Sequence, residues 1–435
     1  MFAGTDRTDI TPSYSVWMDG MIRDHKSEGV HDPIYVHTVV ISNDKDANDC
    51  LAIISLDVCV IGTPSVNKAK ELIYQKSGIS LDRVVIAATH SHSGPAALGI
   101  FQEMEERYVD DLILLIAGSV ARAKANIRPA LVSCCSGREE TISHYRRFTD
   151  ADGKIVMFWE QDPAEGKIHA LGEPDPEVGV MKIIDPETNK PICVLFNHAG
   201  HPNVMSGDNY MISGDYTGAA ARIVSERLGC EALFVNGAQG SVDMDNWRFR
   251  DWAAVELLGS RLAEAVIAAC DNSDSAAHTK MRFTKTNYTL PRRKVTDQEI
   301  AWADEVLKQT SGQFAAAADG VGDDYKAAFC KKIRALQNQD IDVEQVAFSI
   351  GDTAYISFPG ELFTEVGLRI KSRSPFRHTY IIGLANGYVG YVPTREAISQ
   401  GGYEVETRHV DEKAALAIED ISVKLLNELS GGKNV

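Results

Sequence analysis

The sequence predicts an α/β protein, with a mixed and largely buried β-sheet flanked by helices. Three observations carry that reading: short Val/Ile-rich runs that are apolar at almost every position, helix-period segments alternating with them, and glycines where those helices should stop.

Taken in order, the runs at 34–41 (IYVHTVVI), 51–61, 84–89, 178–184, 192–197 and 232–237 read as strands, because unbroken apolar character suits a sheet covered on both faces. Helical periodicity marks 65–78, 105–127, 216–229 and 252–270, with Gly78 and Gly229 as stops. Residues 280–345 change character, from a polar strand (MRFTKTNYTLPRR) to charged, alanine-rich helical sequence. They are expected to form a helical excursion or subdomain within a single domain spanning 1–435. The segment 343–358 predicts a hairpin turning at Gly351-Asp352, and the chain closes with a helix at 411–429 and a frayed GGKNV tail. No internal repeat or low-complexity tract is visible.

Composition narrows the function. A chain of 435 residues with 44% hydrophobic content can bury a large core. Its net charge of −17 would repel nucleic acids and anionic membranes, which leaves a small-molecule partner as the expectation and self-association open. The first twenty residues lack the basic start and apolar core of a secretion signal. The apolar stretch at 112–117 is far shorter than the ~20 residues that cross a bilayer, so no membrane insertion is expected. Eight cysteines without a CxxC pair suit reduced thiols in a cytoplasmic protein.

Short motifs for serine hydrolases, phosphate loops, dinucleotide sites and HExxH metalloproteases are all missing. Polar clusters stand instead where apolar runs end, the usual place for sites in open α/β sheets. The first is Thr89-His90-Ser91-His92-Ser93-Gly94-Pro95. Two histidines at i and i+2 on an extended backbone project the same way, toward one metal or one substrate, although such pairs also serve as loop hydrogen-bonders. The second, FNHAGHPNVM (196–205), offers His201 as ligand with His198 in support. The third, at 234–246, sets Asn236, Gly237, Gln239 and Gly240 in a loop that is either an oxyanion site or an ordinary glycine-rich turn. The fourth places Glu361 after Pro359-Gly360 and at the opening of a helix, where it could simply complement the helix dipole. The fifth, 383–404, carries Tyr388, Tyr391 and Tyr403, a residue type that usually packs.

In this order the five clusters resemble the catalytic domain of the neutral (non-lysosomal) ceramidase family, from AGTDRTDITP at 3–12 to the Tyr403-Glu404 pair. The resemblance implies a ceramidase-like fold and a zinc amidohydrolase whose metal falls on His90, His201, Glu361 and Tyr391. It further implies that His92 is general base or substrate contact and that Tyr403 polarises the carbonyl. The arginine near the substrate amide falls on Arg146, with Arg147 the alternative. Two departures bear on substrate: Asp243 stands where the family has a serine, and the chain ends soon after the catalytic domain, without the family's C-terminal β-sandwich. The expected reaction is hydrolysis of an amide or ester by a metal-activated water. Tyr403 and the 236–240 loop would hold the oxyanion, Asp243 a polar substrate group or His92, and the substrate would be smaller and more polar than ceramide. A metal-dependent lyase or isomerase acting on a polyol, and a non-catalytic binding protein, are the other readings. A second cation near Asp57 or Asp243 also stays open.

Overall fold

Three β-sheets each turn one face toward a shared interior, and helices cover their outer faces. The computed structural model describes residues 1–161, 166–244, 250–272, 280–310 and 314–431. Most of the GGKNV tail, from 432 onward, lies outside the described residues.

The first sheet runs in the order Val84–Ala88, Cys50–Leu56, Tyr35–Ser42, Phe2–Asp9 and Arg128–Pro129. Its Cys50–Leu56 and Val84–Ala88 strands are parallel, joined by helix Thr63–Ser77. The second sheet pairs Glu231–Asn236 parallel to Pro191–His198, joined by helix Asp215–Leu228, and continues antiparallel through Glu177–Ile184 to Leu131–Arg138. The third runs Met281–Leu290, Ile341–Ile350, Thr353–Ser357 and His378–Ile382, its last pair parallel and joined by helix Thr364–Ser372. Each sheet thus ends in one βαβ unit, a shared plan that the sequence does not display as a repeat.

Side chains alternate between the two faces with the strand period of two. Val40, Ile54 and Ile86 point outward to Ile73 and Leu112 of helices Thr63–Ser77 and Glu106–Ala125. Their neighbours Val39, Ile53 and Val85 point inward. There they meet Met181, Leu195 and Leu233 of the second sheet and Phe348, Tyr355 and Tyr380 of the third. Both faces are therefore dry, which is why these strands are continuously apolar in sequence.

The expected excursion at 280–345 begins and ends as strand: Met281 pairs with Ile350 and Leu290 with Ile341. Between them, helices Asp297–Leu307 and Asp323–Leu336 pack around Ala303, Phe329 and Ile333, against Ile22 and Phe101 of distant loops. Thr296 and Glu299 close a capping box at the first helix. The hairpin turns at Gly351-Asp352 as expected, with Ile350 opposite Thr353 and Gly351 at φ 62°. Strands Phe2–Asp9 and Leu131–Arg138 escape the apolar-run criterion because they are half-exposed and carry Thr, Asp, Ser and Arg.

The three parallel pairs end near one another. The chain segments leaving Ala88, His198, Asn236, Ser357 and Ile382 are the five polar clusters of the sequence.

Candidate metal centre

The first cluster departs from the extended geometry expected of it. After strand Val84–Ala88, the N–H groups of Thr89 and His90 donate to Leu56 O at 2.8 Å and Val58 O at 3.1 Å, and His90 turns to φ 78°. A left-handed histidine is costly and persists only where its surroundings over-determine it. The turn makes the rings of His90 and His92 face edge to plane, centroids 4.7 Å apart, instead of projecting in parallel. Gly20 (φ 95°) passes so close that a β-carbon there would lie 2.4 Å from the His92 ring.

His90 Nδ1 stands 2.9 Å from the Cys59 carbonyl, to which it donates, leaving Nε2 with its lone pair toward the interior. His201 does the same: Nδ1 donates to Val242 O at 2.8 Å and frees Nε2. Both Nε2 atoms lie 3.3 Å from Glu361 Oε2, an oxygen that itself has no hydrogen-bond donor. The other carboxylate oxygen accepts from the Tyr388 hydroxyl at 2.7 Å. All three groups are at most 2% exposed. Three electron-rich atoms therefore converge in a dry interior, with the Arg146 guanidinium against one side of His201, and a cation bound among them would stabilise the set. Ligand atoms bonded to one tetrahedral zinc at ~2.0–2.1 Å stand roughly 3.3 Å apart, so this donor set fits such an ion. Cys59, His90 and His92 form a second grouping of metal-competent residues. Its thiol, however, lies 3.4 Å from His90 Nδ1, on the side facing away from Glu361.

Without a cation the imidazole itself takes up the positive charge: burial would lower His90, but Cys59 and Glu361 outweigh it and hold the ring well above an ordinary histidine. Burial would raise the Glu361 carboxyl, but His90 and His201 hold it well below the usual range. Burial, with Arg146 adding to it, lowers His201. His92 is held well below an ordinary histidine by burial and by the two neighbouring imidazoles. Its Nδ1 is without a partner and its Nε2 lies 3.3 Å from that of His90.

Glu361 does not open a helix directly. It belongs to a two-residue strand that pairs in parallel with Tyr391–Val392, while the helix starts at Thr364. That pairing sets Tyr391 beside Glu361, and both line one cavity with His90, His92 and Tyr403. The Tyr391 and Tyr403 rings are 5.7 Å apart, and burial pushes both phenols above their usual range.

Arg146 reaches His201 and Arg147 does not. Arg146 Nε donates to Glu404 at 2.7 Å and Nη2 to Gly240 O at 3.0 Å, while Nη1 lies 3.1 Å from His201 Nε2 and 3.7 Å from Asp243 Oδ2. Arg147 instead bonds Glu404 at 2.8 Å and Gly401 O at 2.8 Å. Asp243 faces Arg146, and its other oxygen accepts the Met244 N–H at 2.8 Å. The 236–240 loop directs its groups to the scaffold. Asn236 Nδ2 donates to Thr89 O at 3.0 Å and Gly200 O at 2.8 Å, Gly237 N to His198 O at 3.0 Å, and Gly240 N to Leu362 O at 2.8 Å. These bonds tie the first, second, third and fourth clusters together. The amide of Gln239 is buried with neither end partnered. His198 is buried outside this cavity, its Nδ1 3.4 Å from Glu177 O.

Sequence reasoning assigned no role to Tyr388, Glu404, Cys59 or Gly20. Tyr388 and Glu404 adjoin motif residues, so proximity to Tyr391 and Tyr403 was the available signal. The Cys59 carbonyl and Gly20 contribute only through tertiary approach.

The family model described as neutral/alkaline non-lysosomal ceramidase, N-terminal, matches residues 2–242, more than half the chain and including His90, His92, Arg146 and His201. A neutral ceramidase of Pseudomonas aeruginosa is 21% identical over 393 residues, covering 74% of this chain and 56% of that protein. Neutral ceramidase 1 of Arabidopsis thaliana is 24% identical over 239 residues, covering 51% of this chain and 29% of that protein. This chain thus spans little more than half of the former's length and less than a third of the latter's. The crystal structure of the P. aeruginosa neutral ceramidase superposes with a TM-score of 0.72 at 18% identity, covering 100% of this chain and 75% of that one. A ceramidase complexed with C2 superposes at 0.75, again at 18% identity, over 99% and 75% of the two chains. With this match, the chain belongs to the neutral/alkaline non-lysosomal ceramidase family.

Proposed function

We propose that this protein is a zinc-dependent hydrolase of an amide or ester bond, acting on a substrate smaller and more polar than ceramide. The observation that carries the proposal is the convergence of His90 Nε2, His201 Nε2 and the donor-less Glu361 Oε2. Zinc held there, with Tyr391 beside it, would supply Lewis acidity to a water molecule and to the substrate carbonyl. The chain's own residues do the rest. His92, whose Nε2 lies 3.3 Å from that of His90, takes the proton of the attacking water and returns it to the leaving nitrogen or oxygen. Arg146, aimed by Glu404 and Gly240 O, and Tyr403 face the charge that develops on the carbonyl oxygen. The 236–240 loop acts by holding the histidine and glutamate segments in register.

Asp243 occupies the place of the family serine and sets a carboxylate beside Arg146, which suits a polar substrate group better than a bare lipid. Among the described residues no disulfide joins any of the eight cysteines, which supports a reducing, cytoplasmic setting. Among the described residues no helix is long and apolar enough to cross a membrane.

Purified protein is expected to carry about one zinc per chain and to release acid from at least one member of a panel of N-acyl amines, N-acyl sugars, lactones and ceramides. In heavy-oxygen water, one solvent oxygen should enter that acid. The double variant His90→Ala/Glu361→Ala should lose both zinc and hydrolysis. Full zinc occupancy in that variant would overturn the assignment, and activity on ceramide alone would overturn the substrate class.

A further inference from the structure

The mouth of the candidate centre is walled by residues that the family motifs do not include. Helix Asp323–Leu336 carries Tyr325 and Phe329 at i and i+4, so both lie on one face, and that face is turned toward the cation site. Tyr325 meets Phe101 at 4.9 Å between ring centroids, and Phe329 meets His409 at 5.2 Å. His409 is in turn 6.4 Å from the ring of Tyr388, whose hydroxyl binds Glu361. Tyr325 and Phe329 are 8% and 6% exposed, so they are packed in place and not loose at the surface.

The cavity between this wall and His90, His92 and Glu361 measures about 460 Å³, including its opening to solvent. The surface is apolar and aromatic at the outer end and polar at the inner end. Such a space suits a ligand with one metal-binding carbonyl group and one short apolar arm.

We propose that Tyr325 and Phe329, backed by Phe101, set the length of the apolar arm that can lie beside the cation site. This rests on the metal-centre reading above and adds to it the residues that determine specificity. Truncating either ring would open space on the order of 100 Å³, enough for about three more methylenes. Each methylene buried there would tighten binding about fourfold, or roughly 50-fold for three.

The test uses straight-chain alkyl hydroxamates from two to twelve carbons, which chelate a catalytic metal without needing to be substrates. Their affinity for zinc-loaded protein is measured by calorimetry, with metal-free protein as reference. For the wild type, affinity should rise with length up to a break within this series and gain nothing beyond it. In Tyr325→Ala and Phe329→Ala the break should move outward by about three carbons. Should either fail to fold, Phe329→Leu should move the break outward by one or two carbons, and Tyr325→Trp should move it inward. If no hydroxamate prefers the zinc-loaded form, the metal-centre reading itself falls and this proposal with it. If hydroxamates bind through the metal but affinity climbs steadily to twelve carbons, or the break stays fixed in every variant, the wall assignment is overturned while the centre stands.

Discussion

The close packing of Gly240 against Glu361 makes a one-carbon perturbation informative. In Gly240→Ala the new β-carbon would lie 2.6 Å from the Glu361 carbonyl oxygen and 2.9 Å from that of Leu362. Both are backbone atoms, so no side chain can swing aside, and the two segments must separate by roughly 0.5–1 Å. Metal-ligand distances tolerate about 0.2 Å, so the Glu361 carboxylate would leave the position that His90 and His201 define. Perturbing groups that orient metal ligands typically costs 10–100-fold, so zinc affinity should fall by that factor, with about 1–3 kcal/mol lost from stability through overpacking. Competition with a chromophoric chelator measures the first quantity, and urea unfolding of the metal-free protein the second. Gly218→Ala is the control. That position lies inside helix Asp215–Leu228 with open space around it, so it should gain about 0.5–1 kcal/mol and keep its zinc affinity. A folded Gly240→Ala protein that binds zinc within about twofold of wild type would refute the claim that this contact positions Glu361.

Three further outcomes are expected. Gly20→Ala drives a β-carbon into the His92 ring and imposes a left-handed alanine, so steady-state kinetics should show kcat reduced at least about tenfold, with zinc content unchanged. Glu404→Gln removes the charge shared by Arg146 and Arg147 in a fully buried site; unfolding should show about 3–5 kcal/mol lost, and an unaltered midpoint would exclude this anchoring role. Away from the centre, burial would lower His37, but Asp57 and Glu231 outweigh it and raise the imidazole to about 9 from 6.5. A raised folded value means this contribution, about 3 kcal/mol, is complete below pH 6.5 and lost as pH rises through 9. His37→Gln should flatten the fall in unfolding free energy over that window, and an identical pH profile in the variant would exclude His37 as its source.

How much of this was legible in sequence depends on the range of the interactions involved. Strands Cys50–Leu56, Val84–Ala88 and Pro191–His198 announced themselves because burial on both faces demands apolar residues throughout, a local signature. The polar clusters at their ends were visible for the same reason, as abrupt breaks in that pattern. Residue type alone favoured His201 over His198, but it did not separate Arg146 from Arg147. Glu404 binds both arginines, and only the approach of His201, 55 residues from Arg146, tells them apart.

By itself, then, the sequence determined the α/β class, the main strands and helices, and a short roster of polar residues at strand ends. Spacing and hydrophobic period are properties of neighbouring residues, and a linear chain records them directly. Only the tertiary structure decided the left-handed turn at His90, the meeting of two imidazoles on one oxygen of Glu361, the Tyr388 bond behind it and the aromatic wall in front. Those depend on which distant segments approach to within a few ångströms, and that is set by three sheets packing onto a common core.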